Sequence, residues 1–221
     1  NFLRSWGGGY YESEDFFDLA DELGLLVWQD FMFGGGMPPA YDDAFRANVV
    51  LEARDQVRRL RNHPSLALWC GNNENRAMWY GKWGGEEVSP KRFYGENLYD
   101  RTLKEVVERL DPSRTYIESS PLDVKGSVPE GIDATLNSDD HYWDAWHGRG
   151  DWKHYAESKT RFCSEFGFAS SCSMHTWKEV SPRELTLEDP TVRWHDKTGK
   201  GWEKFSGYVE MHYPKAETLE D

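Results

Sequence analysis

From residue 2 to residue 70 short apolar runs alternate with amphipathic stretches of helical length, and this alternation limits the fold more than any other feature of the chain. Phe2-Leu3-Arg4-Ser5-Trp6 has strand character and ends in Gly7-Gly8-Gly9, a loop that lets backbone approach a ligand closely. Ser13 reads as a helix N-cap, with Glu14 and Asp15 in the first turn. Phe16, Leu19, Ala20 and Leu23 follow at helical spacing, and Gly24 stops the helix. Residues 25–28 form the next strand, which runs out through Gln29-Asp30-Phe31. A longer helix covers residues 42–61, with Phe45, Val49, Ala53, Val57 and Leu60 on one face and His63-Pro64 closing it. A third strand spans 65–70. The pattern continues with a helix from Ser89-Pro90 to Leu110 and with strands at 115–119, 132–137 (the weakest) and 160–165. Strands separated by helical crossovers pair in parallel with helices outside, so the class is α/β. Residues 1–180 read as the core segment, and 181–221 as a loop-rich continuation with short helical turns.

Charge excludes several partners. Asp and Glu total 39 against 26 Lys and Arg, a net charge of −13. A nucleic-acid partner needs clustered basic residues, and an anionic membrane surface needs the same, so neither is expected. No apolar run reaches the roughly 18 residues of a membrane span, and no charged-then-apolar leader opens the chain. Any targeting signal is expected upstream or not at all, which leaves the compartment open. The 11 Trp in a chain only 38% hydrophobic form a surplus of rings that either lines a site or fills a core poor in aliphatic residues.

The three cysteines cannot all pair, and none has CxxC spacing; Cys70 and Cys163 sit in apolar surroundings and read as buried thiols. The seven histidines show no ligand spacing, and the nearest approach to a metal cluster is Asp139-Asp140-His141. No metal and no cofactor are expected.

In parallel α/β folds reactive residues gather just past the C-terminal ends of strands, a filter that leaves Asp30, Glu74, Glu118 and Glu165. Glu74 follows its strand through Gly71-Asn72-Asn73, a segment suited to hydrogen bonding, and Glu165 is followed by Phe166-Gly167-Phe168. They are about three βα units apart, at roughly 31 residues each, which sets their carboxyls opposite one another across the mouth of a small barrel. Two facing carboxylates among aromatic rings are what glycoside hydrolysis requires: one proton donor and one nucleophile. On that reading partial desolvation and a charged neighbour keep Glu74 protonated while Glu165 stays ionised.

Several stretches then resemble the β-mannosidases of glycoside hydrolase family 2. They are 3–9 (Leu-Arg-Ser-Trp-Gly-Gly-Gly), 18–24, 27–33 (Val-Trp-Gln-Asp-Phe-Met-Phe), Arg61-Asn62-His63-Pro64-Ser65, 68–75 (Leu-Trp-Cys-Gly-Asn-Asn-Glu-Asn), His141-Tyr142-Trp143 and 162–168 (Phe-Cys-Ser-Glu-Phe-Gly-Phe). The resemblance covers most of residues 1–170 in the family's order. It implies a (β/α)₈ TIM-barrel catalytic domain, retaining chemistry and release of β-linked mannose from non-reducing ends of oligosaccharides. Carried over by position, Glu74 is the acid/base, Asn73 holds the sugar 2-hydroxyl, Glu165 is the nucleophile and Arg4 supports it. Strand parity agrees for Arg4, because Phe2, Arg4 and Trp6 share a face. Trp6 and the His141-Tyr142-Trp143 loop are expected as walls of the sugar site, Asp30 as a group that orients Arg4 or a water, and Trp79 and Trp83 on the leaving-group side.

The resemblance leaves the first and eighth barrel strands without a match, as well as the β-sandwich domains that precede the barrel in the family. A partial barrel of about strands two to seven, with two open edges, is therefore expected, unstable and inactive in isolation. Other family 2 exo-glycosidases (β-galactosidase, β-glucuronidase, exo-β-glucosaminidase) and a non-catalytic carbohydrate-binding fragment stay open as alternatives.

Overall fold

The apolar runs up to residue 117 are strands in the computed structural model, which describes residues 1–81, 95–122, 139–181, 183–197 and 200–221. Strands β1 (Phe2–Ser5), β2 (Leu26–Asp30), β3 (Leu66–Cys70) and β4 (Thr115–Ile117) lie in that order in one sheet, all parallel. The register sets Arg4 beside Trp28, and Cys70 beside both Asp30 and Ile117. Among the described residues the sheet does not close on itself, and Phe2, Leu3 and Leu26 on its β1 side are exposed.

Local chemistry fixes the helices between these strands. Ser13 caps α1 (Glu14–Leu23) by accepting from the Phe16 amide, and Gly24 ends it in the left-handed region at φ 67°, where glycine carries no Cβ penalty. Asp42 caps α2 (Asp43–Leu60) in the same way, accepting from Phe45 at 2.8 Å. Helix α3 (Asn75–Gly81) begins directly after Glu74, and a π-helical segment (Asn97–Leu103) runs into α4 (Lys104–Leu110). The expected helix start at Ser89-Pro90, the strand at 132–137 and Trp83 lie outside the described residues.

Val49, Ala53, Val57 and Leu60 of α2 are buried as the helical spacing requires, in one cluster with Phe17, Val27, Leu66, Trp69, Leu98, Leu103 and Val107. Each such aliphatic or aromatic burial contributes about 1.5–3 kcal/mol. Trp79, expected on the leaving-group side, belongs to this cluster too and is 6% exposed. Polar pins complete the packing. Asp21 of α1 accepts from the Ser65 amide and bonds His63 Nδ1, both at 2.7 Å, so Arg61-Asn62-His63-Pro64-Ser65 ties α1 to the start of β3.

The chain divides into two compact units, Asn1–His141 with Lys159–Ser164, and Tyr142–Ser158 with Glu165–Asp221. A second sheet pairs β5 (Asp139–Tyr142) with β6 (Phe162–Phe166). His141 and Tyr142 are therefore strand residues, where a loop was expected.

The second unit holds α5 (Asp144–His147), a 3₁₀ turn (Trp152–Glu157), α6 (Met174–Val180), α7 (Pro190–Trp194) and α8 (Gly201–Glu210). The ten-residue α8 lies in the stretch read as loop. A small core of Trp177, Leu185 and Val192 is covered by Met174, Trp202 and Leu219, and the Trp146 ring packs on Phe168 and Tyr208 at 5.1 and 5.5 Å. Among the described residues no helix is long and apolar enough to cross a membrane.

Candidate active site

The first unit gathers Arg4, Asp30, Asn73, Glu74 and His141 at one end of the parallel sheet. Arg4 projects from β1 with its guanidinium 5.3 Å from the Trp28 ring centroid, and it donates to both oxygens of Asp30, Nε to Oδ1 at 3.4 Å and Nη2 to Oδ2 at 2.8 Å. Asp30 ends β2 and is completely buried. It also accepts from Trp28 Nε1 at 2.6 Å and from the Gly7 amide at 2.9 Å, so four donors meet one carboxylate. A buried charge needs this degree of pairing. Gly7 can supply its amide because it has no side chain; a Cβ there would lie 2.6 Å from the Phe33 carbonyl oxygen.

Arg4 Nη2 also donates to Asn73 Oδ1 at 2.9 Å, which fixes the Asn73 amide with its nitrogen turned away from the guanidinium. Isolated parallel bridges to Gly34 and Ser120 hold Asn73 itself. Glu74 follows at φ 59°, the one non-glycine residue with positive φ among those described. Its amide donates to the Ser120 carbonyl at 2.7 Å and its carbonyl accepts from Met78 in the first turn of α3, so the backbone is pinned on both sides of the strained residue. A non-glycine residue in this region costs about 1–2 kcal/mol, and such strain concentrates at functional sites. Asn72 and Asn75 brace the loop: Asn72 Oδ1 accepts from the Asn75 amide and from Ser119, and Asn75 Nδ2 donates to the buried Tyr99 hydroxyl at 2.6 Å.

The Glu74 carboxyl meets His141, with Nδ1 2.8 Å from Oε1, where the imidazole is 3% exposed and the glutamate 20%. His141 Nε2 lies 2.9 Å from Ser120 Oγ and 3.3 Å from Arg4 Nη1. Trp6, just past β1, is half exposed. Glu118 turns elsewhere, toward Lys104 at 3.8 Å. Burial, with the Asp30 charge second, pushes the Cys70 thiol well above its ordinary value, so Cys70 is an inert core group. Cys163 is only half-buried and Cys172 is exposed, and no disulfide links the cysteines.

Tyr142, Trp143 and Glu165 belong to the second unit. Tyr142 donates its hydroxyl to the His154 carbonyl at 2.7 Å, which leaves its ring as the surface it can present. Trp143 lies against Gly167, where a Cβ would be 3.5 Å from the indole. Glu165 is half-buried on β6, directly after Ser164.

No family model matches the chain. The β-mannosidase of Rattus norvegicus is 38% identical over 224 residues, which cover 96% of this chain and 25% of that protein. β-Mannosidase B of Thermothelomyces thermophilus is 37% identical over 211 residues, 88% of this chain and 24% of that one. The crystal structure of a β-D-mannosidase from Dictyoglomus thermophilum superimposes with a TM-score of 0.85 at 39% identity, over 98% of this chain and 26% of its own. The chain is homologous to the β-mannosidases. It spans about a quarter of the length of these relatives.

Two residues of this β-mannosidase homologue escape a motif reading. Ser120 is one of a pair of serines before Pro121, and nothing in that run signals contact with a histidine 21 positions away. Asp139 stands out in the sequence only within Asp139-Asp140-His141, the nearest approach to a metal cluster. Its carboxylate is taken by Ser120 and Ser164, each at 2.6 Å, and that of Asp140 by Thr160 at 2.7 Å, so hydrogen bonding accounts for both.

Proposed function

We propose that this chain carries the catalytic centre of a retaining β-mannosidase that removes terminal β-linked mannose from non-reducing ends, within a partial (β/α)₈ barrel of about strands two to seven. The observation that carries the reading is the placement of Glu74: a strained, pinned residue at the end of a parallel strand, its carboxyl held by His141 next to the Arg4–Asp30–Asn73 cluster, in a chain homologous to β-mannosidases. On this reading the further length of the relatives holds the closing strands and the β-sandwich domains.

Glu165 attacks the anomeric carbon as the glycosidic bond breaks, and Glu74 delivers its proton to the departing oxygen. The sugar is then esterified to Glu165. Glu74, now a carboxylate, takes a proton from water as the water attacks the same carbon, which frees mannose and restores both glutamates. Arg4, held by Asp30, supplies fixed positive charge, and Asn73, its oxygen occupied by Arg4, offers its amide N–H groups to a sugar hydroxyl. Trp6, Tyr142 and Trp143 present ring faces suited to stacking on the sugar. The chemistry uses side chains alone.

A panel of aryl β-mannoside, β-galactoside, β-glucoside and β-glucuronide on the full-length protein tests the substrate. The mannoside is expected to have the highest kcat/KM by at least about tenfold, the low end of what pocket contacts discriminate. Preference for another sugar assigns the same machinery to a different exo-glycosidase, and hydrolysis of none leaves a binding role.

A further inference from the structure

Behind the Glu74–His141 contact lies a second layer of polar groups, all within the first unit. Asp139 Oδ2 is 2.6 Å from Ser120 Oγ and 2.6 Å from Ser164 Oγ, while its Oδ1 accepts from the Leu122 amide at 3.0 Å. An ionised carboxylate only accepts, so an O···O distance of 2.6 Å requires each serine to spend its single hydrogen on Asp139. Ser120 Oγ must then accept from its other neighbour, His141 Nε2, 2.9 Å away. Arg4 Nη1 also approaches that nitrogen, at 3.3 Å, a longer and weaker contact than the 2.9 Å to Ser120 Oγ. This assigns the proton of neutral His141 to Nε2 by donor and acceptor bookkeeping, and leaves Nδ1 bare toward Glu74 Oε1 at 2.8 Å.

We infer that Asp139 and Ser120 are positioning residues that lock His141 in the Nε2–H tautomer, so that its Nδ1 is an acceptor for the protonated carboxyl of Glu74. This rests on Glu74 being the acid/base. The chain of donors runs Glu74 to His141 to Ser120 to Asp139, and every link is buried or partly buried. Neither positioning residue touches substrate; each acts through the imidazole. Removing Ser120 reverses the polarity of the chain. With Oγ gone, Arg4 Nη1, which can only donate, still faces Nε2; the proton moves to Nδ1, and His141 then donates to Glu74, which favours the carboxylate over the acid. Glycosidic cleavage that depends on proton donation suffers, whereas hydrolysis of the glycosyl ester, where Glu74 acts as a base, does not.

The test compares Ser120→Ala, Ser120→Thr and Asp139→Asn in the full-length protein, with Glu74→Ala beside them, on a dinitrophenyl β-mannoside and an alkyl β-mannoside. Ser120→Ala is expected to lower kcat/KM on the alkyl substrate by about tenfold or more, and on the dinitrophenyl substrate by less than about threefold. Ser120→Thr, which keeps the hydroxyl, restores the alkyl activity, and Asp139→Asn shares the selective loss because its amide must turn a donor toward either Ser120 or Leu122. Equal loss on both substrates, as from a folding defect, or no loss on the alkyl substrate overturns the inference. If Glu74→Ala shows the selectivity and Ser120→Ala does not, only the tautomer lock fails. If Glu74→Ala lacks it as well, the acid/base assignment falls and the inference with it.

Discussion

Arg4 and Asp30, 26 residues apart in the chain, form a two-point ion pair in which the aspartate side chain has no exposed surface and the arginine retains 11%. The pair converts the sequential distance between β1 and β2 into a fixed distance between charges. Asp30→Ala is expected to leave the guanidinium, the Trp28 indole N–H and the Gly7 amide without their shared acceptor, at a cost of about 3–5 kcal/mol. Urea denaturation measures it, and a loss below about 1 kcal/mol would mean that the pair is not a structural requirement.

The left-handed backbone at Glu74 separates stability from chemistry at one residue. Glu74→Gly removes the Cβ that makes φ 59° costly, while Glu74→Ala keeps it. The glycine variant is expected to exceed the alanine variant in stability by about 1 kcal/mol, although both lack the carboxyl. Matched denaturation curves check this; alanine equal to or above glycine would place the strain elsewhere.

Acid sensitivity in the second unit follows from Asp189, the N-cap of α7. The hydrogen bond from Arg183, followed by that from the Thr191 amide, lowers its carboxyl from 3.8 to about 2. A group depressed in the folded state contributes stability that is complete above its unfolded value and lost as pH falls, here from about 3.8 down through about 2. Followed by NMR, the Asp189 carboxyl carbon is expected to titrate near pH 2 and to move up toward 3.8 in Arg183→Ala. A midpoint near the ordinary value in both proteins would remove Asp189 from the acid response.

The parallel sheet and its helices were legible because their determinants are local. Ser13, Gly24 and Asp42 cap where capping chemistry places them, and Val49, Ala53, Val57 and Leu60 bury one helical face. Strand β5 was not legible, since Asp139-Asp140-His141-Tyr142 has no apolar alternation and is held by serine and threonine hydroxyls distant in sequence. Helix α8 starts at Gly201 and contains Gly207, both poor helix formers, and packs by a few aromatic residues. Within the candidate site, strand-end position picked out Asp30 and Glu74, and the family resemblance added Arg4, Asn73 and His141. The Ser120–Asp139 layer depends on contacts between β5 and the residues after β4 that no periodicity encodes, and the burial of Trp79 is not visible in a single residue type.

The central claim, that Glu165 is the nucleophile and Glu74 the acid/base of a retaining reaction, is tested most directly by azide rescue. In the full-length protein Glu165→Ala is expected to lose nearly all turnover of aryl β-mannosides. Added azide, entering from the face the carboxylate vacates, should then restore release of the phenol and yield α-mannosyl azide. A β-mannosyl azide would show that the covalent intermediate still forms without Glu165, and would contradict the assignment.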